Sequence, residues 1–333
     1  MSIFLNKKLF PLIAASALLL MLSALFAHRI TSPAGDGKTS RILDFGEGAS
    51  FRKFAGDLES SGIISSARLF VFYARLRGDD GKVKAGSYQF NDGMSPNEIL
   101  RRMVAGETFA YRFAVPEGYS IFQIAELLEN RGLFKKEAFL KACSDRTLLK
   151  ELGISGRSVE GYLFPSTYGI PPKMDEENVI RLMVGQFSRV YDKRFAARAQ
   201  SLGVTRNSLV TLASMIEKEA VIPAERPLIA SVFNNRLKKR MPLQSDPTAV
   251  YGSRAFGGKV SKRDIMRTSP YNTYQIQGLP PGPIGNPGSE AMEAVLAPAA
   301  TNYLYFVARN DGSHHFSATL AEHNRAVHKY LKP

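Results

Sequence analysis

Two glutamates, Glu217 and Glu219, lie at the end of an apolar segment at 208–220 and have the side chain needed for proton transfer. The segment predicts a helix that Ser208 caps and Pro223 stops. Its apolar stripe consists of Leu209, Leu212, Ala213, Ile216 and Ala220. At about 100° per residue the two glutamates fall on opposite borders of that stripe, with Lys218 pointing to solvent between them. Only one can face a given groove, and the helical wheel does not decide between them.

A glutamate at the edge of an apolar stripe is suited to cleavage of a glycosidic bond. Burial disfavours the charged carboxylate, so it raises the pKa and lets the group donate a proton near neutral pH. The leaving oxygen of a glycoside requires such a proton. Most glycosidases use a second carboxylate, for which Glu160, Glu225 and Asp246 are candidates. The competing interpretation is a pair of solvated glutamates at the border of the helix.

The segment SPYNTYQIQGLPPGPIG at 269–285 supplies further polar and aromatic candidates. Its Tyr, Gly and Pro content predicts a structured loop. Tyr271 and Tyr274 are candidates to stack on sugar faces, and Asn272 and Thr273 are candidates to hydrogen-bond sugar hydroxyls. The alternative for each is packing within the loop alone.

Two shorter motifs complete the set of candidate binding residues. VEGYLFPSTY at 159–168 contains Glu160 and Tyr162, which are plausible groove residues. In LQSDP, Gln244 and Asp246 precede Pro247 and serve either to bind substrate or to fix a turn.

Four histidines crowd the C-terminus, but they form no HExxH pattern, and we expect no metal site there. Packing and surface exposure explain these side chains better.

The composition is that of a globular protein with a basic charge. The 333 residues suggest about two domains. With 44% hydrophobic residues, disorder, collagen and coiled coil are excluded for the whole chain. The single cysteine, Cys143, excludes an intramolecular disulfide framework, a Cys-cluster metal site and a lipid-modified N-terminal cysteine. The formal charge of +14 favours a polyanionic partner: nucleic acid, anionic lipid or an acidic polysaccharide. The alternative is simple solubility or attraction to the membrane surface. Motifs typical of nucleic-acid binding are absent from the sequence, so we expect no nucleic-acid partner.

An uncharged stretch of 19 residues, Leu9–Ala27, predicts one transmembrane helix. At 1.5 Å per residue it is about 28 Å long, close to the hydrocarbon thickness of a bilayer. The alternative is a cleaved signal peptide, but its apolar region would be shorter and followed by a small-x-small site. We therefore expect residues 1–8 to be a cytoplasmic tail and 28–41 to be a polar linker. Basic residues flank the helix on both sides, so the charge distribution hardly favours one orientation. A short tail inside the cytoplasm and the rest of the chain outside it is the simpler arrangement.

An internal repeat relates residues 47–63 to residues 117–133 at an offset of 70, with a looser copy at 92–107. It predicts a recurring helix in which a serine is the N-cap and, in the first two copies, a glycine ends the helix. The predicted caps are Ser50, Ser95 and Ser120, and the predicted terminators are Gly62 and Gly132. Strand-like runs at 84–90 and 108–115 flank these helices. Helix pairs with short strands resemble LysM-like modules, which bind N-acetylglucosamine polymers; a packing domain without a ligand is the alternative.

Five motifs occur in a fixed order along the chain: ASMIEKEA, ERPLIASVFNNRL, LQSDPTAVYG, SPYNTYQIQGLPPGPIGNPG, and YLYFVA with HHFSATLAEHN. Together they make the chain resemble the endolytic murein transglycosylase (YceG-like) family over nearly its whole length. The resemblance implies an α+β protein with one N-terminal transmembrane helix. It further implies a small LysM-like domain at 42–110 and a larger mixed α/β catalytic domain at 111–333.

The family resemblance also implies an activity and a catalytic residue. The activity is cleavage of the β-1,4 bond between N-acetylmuramic acid and N-acetylglucosamine within glycan strands, leaving a 1,6-anhydro end and ending nascent strands. The second glutamate of the family's E-K-E-T segment is catalytic, which corresponds to Glu219; Ala220 stands where Thr is common. Glu217 stays the alternative assignment. The substrate's own C6 hydroxyl is the nucleophile, so neither a metal nor a cofactor is required.

Two other functions fit parts of the sequence: a membrane-tethered peptidoglycan-binding scaffold without turnover, and a hydrolytic muramidase. The implied location is the bacterial inner membrane, with the catalytic domain on the periplasmic side. The resemblance suggests peptidoglycan synthases as partners, although no motif shows a docking surface. The cut position, the need for a stem peptide and the oligomeric state do not follow from the sequence.

Overall fold

A long apolar helix, α1 (Phe10–Thr31), opens the computed structural model, which describes residues 10–253 and 260–331. Among these residues, α1 is the only helix long and apolar enough to cross a membrane. It continues four residues beyond the predicted end at Ala27, and its residue Ile30 is buried. Leu9 and the predicted tail at 1–8 lie outside the described residues.

The chain folds into two structural units. The first consists of residues up to Arg112 together with Gly169–Lys173. The second consists of Phe113–Tyr168 and the residues from Met174 onward.

The first unit builds a small core between a two-stranded sheet and three helices. Its elements after α1 are β1 (Ser40–Phe45), α2 (Phe51–Ser60), α3 (Ala67–Leu76), β2 (Gly86–Asn91) and α4 (Pro96–Ala105). Strands β1 and β2 are antiparallel, with Ser40 opposite Asn91 and Phe45 opposite Gly86. The core includes Phe54, Leu58, Phe70, Tyr88 and Phe90. Because β1 already begins at Ser40, the predicted linker over 28–41 is reduced to the residues between α1 and β1.

The second unit is mainly helical and contains short strands. Its elements begin with β3 (Tyr111–Ala114), which starts in the first unit, α5 (Ile121–Asn130), α6 (Lys136–Cys143) and α7 (Arg146–Glu151). Next come β4 (Thr167–Ile170), which ends in the first unit, α8 (Glu176–Arg194) and α9 (Ala196–Ser201). They continue with α10 (Arg206–Glu219), a 3₁₀ turn (Pro223–Glu225), α11 (Arg226–Lys238), α12 (Asp246–Val250), α13 (Lys262–Met266), α14 (Ser289–Leu296), β5 (Tyr305–Ala308), β6 (His314–Ser317) and α15 (Leu320–Tyr330). Strand β3 pairs with β4, and β5 pairs antiparallel with β6. The mixture of helices and short strands agrees with the predicted mixed α/β class.

The repeated helices form as the sequence pattern predicts, but they do not share one unit. Ser50, Ser95 and Ser120 are the N-caps of α2, α4 and α5; only Ser95 and Ser120 accept a backbone hydrogen bond through the side chain. Gly62 and Gly132 follow α2 and α5 with φ of 76° and 66°, a conformation that favours glycine. Helices α2 and α4 belong to the first unit and α5 to the second, so the repeat does not mark a domain.

Candidate active site

Helix α10 brings the two candidate glutamates to the end of a buried helix. Thr205 is its N-cap and accepts a hydrogen bond from the backbone N–H of Ser208. The predicted cap at Ser208 is therefore wrong by three residues, because a threonine was already available one turn earlier. The helix is buried from Leu209 to Ile216 and ends at Glu219. The residues of its first and last turns, 206–208 and 217–219, are half-buried.

Glu219 lies in a cleft of about 760 Å³. Polar groups that share this cleft are Lys218, Gln244, Asp246 and Tyr274. The Ser245 hydroxyl donates a hydrogen bond of 2.6 Å to Glu219 Oε1. Burial raises the pKa of Glu219 to about 7, and the nearby Asp246 carboxylate adds to the rise while the Ser245 bond opposes it. A carboxyl group with this pKa can both give and take a proton at neutral pH.

Glu217 has a different environment, although it is only two residues away. Its side chain is 5% exposed and forms an ion pair of 2.8 Å with Arg226. Its other oxygen accepts a hydrogen bond of 3.0 Å from the backbone N–H of Gly288. Both oxygens are thus held by the protein, whereas Glu219 lines a cleft. The contacts favour Glu219 as the reacting group.

Lys218 does not point to solvent as predicted. It is half-buried, lines the cleft and donates a hydrogen bond of 3.4 Å to Gln123 Oε1. Burial lowers the pKa of Lys218 to about 8. The wheel placed this residue outward because it could not include α5, which carries Gln123.

Thr273 is enclosed behind the cleft and supports the segment that carries Ser245. The Thr273 hydroxyl accepts a hydrogen bond of 2.9 Å from the backbone N–H of Ser245 and lies 2.7 Å from the Thr248 hydroxyl. The Thr273 carbonyl accepts a bond from the N–H of Gln244, whose φ of 49° is left-handed. This network fixes the serine that contacts Glu219.

Asn272 is likewise enclosed, and it positions Tyr274. Its side-chain amide donates to the backbone carbonyls of Ile265 and Arg267, and its Oδ1 accepts from the N–H of Tyr274. The Tyr274 hydroxyl then donates a hydrogen bond of 2.6 Å to Asp246 Oδ1 at the cleft. Asn272 is therefore suited to holding the loop rather than to binding a ligand.

Three other predicted residues do not line the cleft with Glu219. Glu160 is buried and accepts hydrogen bonds from the N–H of Ile121, the hydroxyl of Tyr251 and the amide of Asn286. Burial raises the pKa of Glu160 to about 7. Tyr162 is buried, packs edge-on against Phe187 and bonds Asn207. Tyr271 packs against Tyr251 with ring centroids 4.7 Å apart.

His314 is among the residues that line the cleft, although the sequence pattern indicated only packing or surface exposure for it. His314 is nearly buried, and its Nδ1 lies 2.7 Å from Glu225 Oε2, while its backbone N–H donates to Glu225 Oε1 at 2.9 Å. Glu225, a candidate second carboxylate, is thus engaged by His314. The Nε2 atom of His314 has no hydrogen-bond partner among the described residues. The sequence feature that could have separated His314 from its neighbour is strand alternation, because successive side chains of a strand point to opposite faces. His314 and His315 therefore lie on opposite faces of β6.

The other residues that line the cleft come from distant parts of the second unit. Most of them are apolar, and the full set is Pro247, Val250, Val260, Phe306, Val307, Ala308, His323, Val327 and Leu331. A cleft lined by both polar and apolar groups suits a sugar, which presents hydroxyls at its rim and C–H groups on its faces. Within residues 10–253 and 260–331, no group of three or more His, Cys, Asp or Glu side chains could hold a metal ion.

The sequence matches a known protein family. The model of the YceG-like family matches residues 43–329. This chain belongs to the YceG-like family. The resemblance predicted from the five motifs is thereby confirmed.

Relatives of this YceG-like protein are named for one activity. The chain is 36% identical over 312 residues to an endolytic murein transglycosylase of Bacillus subtilis, covering 89% of this chain and 86% of that protein. It is 31% identical to an endolytic murein transglycosylase of Streptococcus pneumoniae, covering 89% of this chain and 60% of that protein. A crystal structure of a YceG-like protein from Listeria monocytogenes has 34% sequence identity and a TM-score of 0.61. That alignment covers 87% of this chain and all of the Listeria chain.

Proposed function

We propose that this YceG-like protein is an endolytic lytic transglycosylase that cleaves peptidoglycan glycan strands and ends nascent strands. The observation that carries the proposal is the position of Glu219: a carboxyl group with a pKa raised to about 7, in a cleft lined by both polar and apolar groups. The names of the relatives from Bacillus subtilis and Streptococcus pneumoniae support the same activity.

In the proposed reaction Glu219 acts first as acid and then as base. The protonated carboxyl donates its proton to the glycosidic oxygen between N-acetylmuramic acid and N-acetylglucosamine. The bond from that oxygen to C1 breaks, and an oxocarbenium-like centre develops at C1. The carboxylate then takes the proton of the C6 hydroxyl of the same sugar, whose oxygen bonds to C1. The product is a 1,6-anhydro end, and the ring closure benefits from the proximity of its two reacting atoms.

The other predicted residues divide into two groups in this proposal. Gln244, Asp246 and Tyr274 line the cleft and are the candidates to touch the glycan. Asn272 and Thr273 fix the loops that carry Tyr274 and Ser245, as their hydrogen bonds indicate. Glu160, Tyr162 and Tyr271 support the same unit from behind the cleft.

A further residue that we assign to glycan binding is His314. Because Glu225 holds Nδ1, the free Nε2 can hydrogen-bond a sugar substituent. We expect His314→Phe to raise KM by about tenfold, the value of one hydrogen bond, with a smaller change in kcat. His314→Gln keeps a polar group and should restore most of the affinity. His315→Phe, on the opposite face of β6, is the matched control; an equal rise in KM for this variant would contradict the assignment.

We further propose that α1 anchors the protein in the inner membrane and that both units lie on the extracytoplasmic side. The length and apolar character of α1 support the anchor, and a murein substrate requires this side. The first unit contains α2 and α4, two of the three repeated helices on which the LysM-like resemblance rests, together with the short strands β1 and β2, so we assign glycan binding to it. Cooperation with peptidoglycan synthases stays a prediction.

Digestion of purified glycan strands by the detergent-solubilised full chain tests the proposed reaction. We expect internal cleavage and, by mass spectrometry, muramyl ends that lack one water relative to the reducing sugar. Reducing ends would instead identify a hydrolytic muramidase. Binding without any cleavage would identify a tethered scaffold.

A further inference from the structure

A groove with three arginines lies on the first unit, along helices α2 and α3. Its volume is about 400 Å³, and its lining consists of Arg52, Ala67, Arg68, Val71, Phe72 and Arg75. The side chains of Arg52 and Arg68 form no hydrogen bond or ion pair with another described residue. Arg75 has a loose pair of 3.6 Å with Asp80, in which both side chains are exposed. The groove therefore holds uncompensated positive charge.

The same helix exposes large apolar side chains next to these arginines. Phe72 is 56% exposed and Leu76 is 69% exposed. Phe72 lies four residues after Arg68, three before Arg75 and four before Leu76 along α3, so the four side chains share one face of the helix. A helix face that mixes arginines with phenylalanine and leucine is typical of segments that lie in the surface of a bilayer.

Helix α1 packs against this face of α3. Phe26 of α1 packs edge-on against Phe72, with ring centroids 5.6 Å apart, and also contacts Tyr73. Phe26 stands at the end of the uncharged residues 10–27, which span about 27 Å at 1.5 Å per residue. When α1 crosses a bilayer, Phe26 therefore lies near the boundary between hydrocarbon and headgroups. The exposed face of α3 lies at the same level.

We propose that α3 is an interfacial helix and that the groove of Arg52, Arg68 and Arg75 binds the phosphate of anionic phospholipid headgroups. Guanidinium groups hold phosphate through paired hydrogen bonds, and Phe72 and Leu76 enter the adjacent acyl boundary. The contact keeps the first unit on the membrane surface. This inference rests on the proposed membrane placement of α1 and is independent of the chemistry at Glu219.

The full chain in proteoliposomes allows a direct test. Leu76→Cys is labelled with a polarity-sensitive dye; Cys143, the only native cysteine, is fully buried and does not compete for the label. Leu202→Cys is the matched control, because Leu202 is 54% exposed but lies on the second unit. Quenching by brominated lipid is compared in vesicles with phosphatidylglycerol and in vesicles of phosphatidylcholine alone. Alkaline extraction shows separately whether the chain is anchored.

We expect strong quenching at position 76 in phosphatidylglycerol vesicles and little quenching at position 202. Each of Arg52→Gln and Arg68→Gln should shift the docking equilibrium about fivefold towards the undocked state, as for a basic residue near an anionic surface. Quenching that is equal in both lipids, or unaffected by the arginine substitutions, would overturn the binding of anionic headgroups. Absence of quenching in a chain that resists extraction would overturn the interfacial placement and leave the anchor intact.

Discussion

Glu219→Gln is expected to lower kcat for glycan-strand cleavage by about 10²- to 10⁴-fold, the range in which a general acid–base group contributes. Glutamine is similar in size and can still accept the 2.6 Å hydrogen bond from Ser245, so the cleft should keep its shape. KM for glycan should change little, because the lost function is proton transfer. Steady-state kinetics on purified strands measure both constants.

Glu217→Gln is the comparison that separates the two neighbouring glutamates. This substitution weakens the ion pair with Arg226 and should reduce stability, yet cleavage per folded molecule should stay within a few-fold of the wild type. Equal loss of kcat in the two variants, corrected for the folded fraction, would remove the distinction on which the assignment of Glu219 depends.

The pH dependence of the wild type follows from the same carboxyl group. With a pKa raised to about 7, Glu219 is mostly protonated below pH 7 and mostly ionised above it. Because the first step needs the protonated form, kcat/KM, which reports the pKa of the free enzyme, should fall about tenfold per pH unit on the alkaline side. The residual activity of Glu219→Gln should lack this alkaline limb, that is, the fall in rate at high pH. A limb that persists in the variant would belong to another group.

The choice between Glu217 and Glu219 shows what a helical wheel can and cannot give. It placed both residues at the borders of the apolar stripe, and the structure agrees. The groups that distinguish them, however, come from other elements: Arg226 and Gly288 at Glu217, and Ser245 at Glu219. Angles on one helix carry no information about such partners.

Asn272 illustrates a second limit. Its amide suits sugar hydroxyls, but it suits backbone carbonyls equally well, and in the fold it is enclosed by the turn around Arg267. Patterns that depend on local geometry were more reliable. The caps Ser95 and Ser120, the strand at 84–90 and the long apolar helix all form close to where the sequence predicts them.

The ion pair of Arg226 and Glu217 gives the largest expected effect on stability. Arg226 is 7% exposed and forms bonds of 2.8 Å with Glu217 and 2.6 Å with Glu290. Arg226→Met keeps the apolar stem but leaves the Glu217 carboxylate buried without its cation. We expect a loss of about 3–5 kcal/mol in the free energy of unfolding of the second unit, measured by urea denaturation.

The double variant Glu217→Gln/Arg226→Met tests the cause of that loss. If the cost arises from an uncompensated buried charge, removal of the carboxylate should recover most of it, since a neutral amide can remain near Gly288. Glu290→Gln is the control for the outer partner: the Glu290 side chain is 69% exposed, so its loss should cost less than about 1 kcal/mol. A double variant as unstable as Arg226→Met would attribute the loss to packing of the arginine stem. With recovery, Glu217 is a structural charge of helix α10, and Glu219 alone of the pair is available for chemistry.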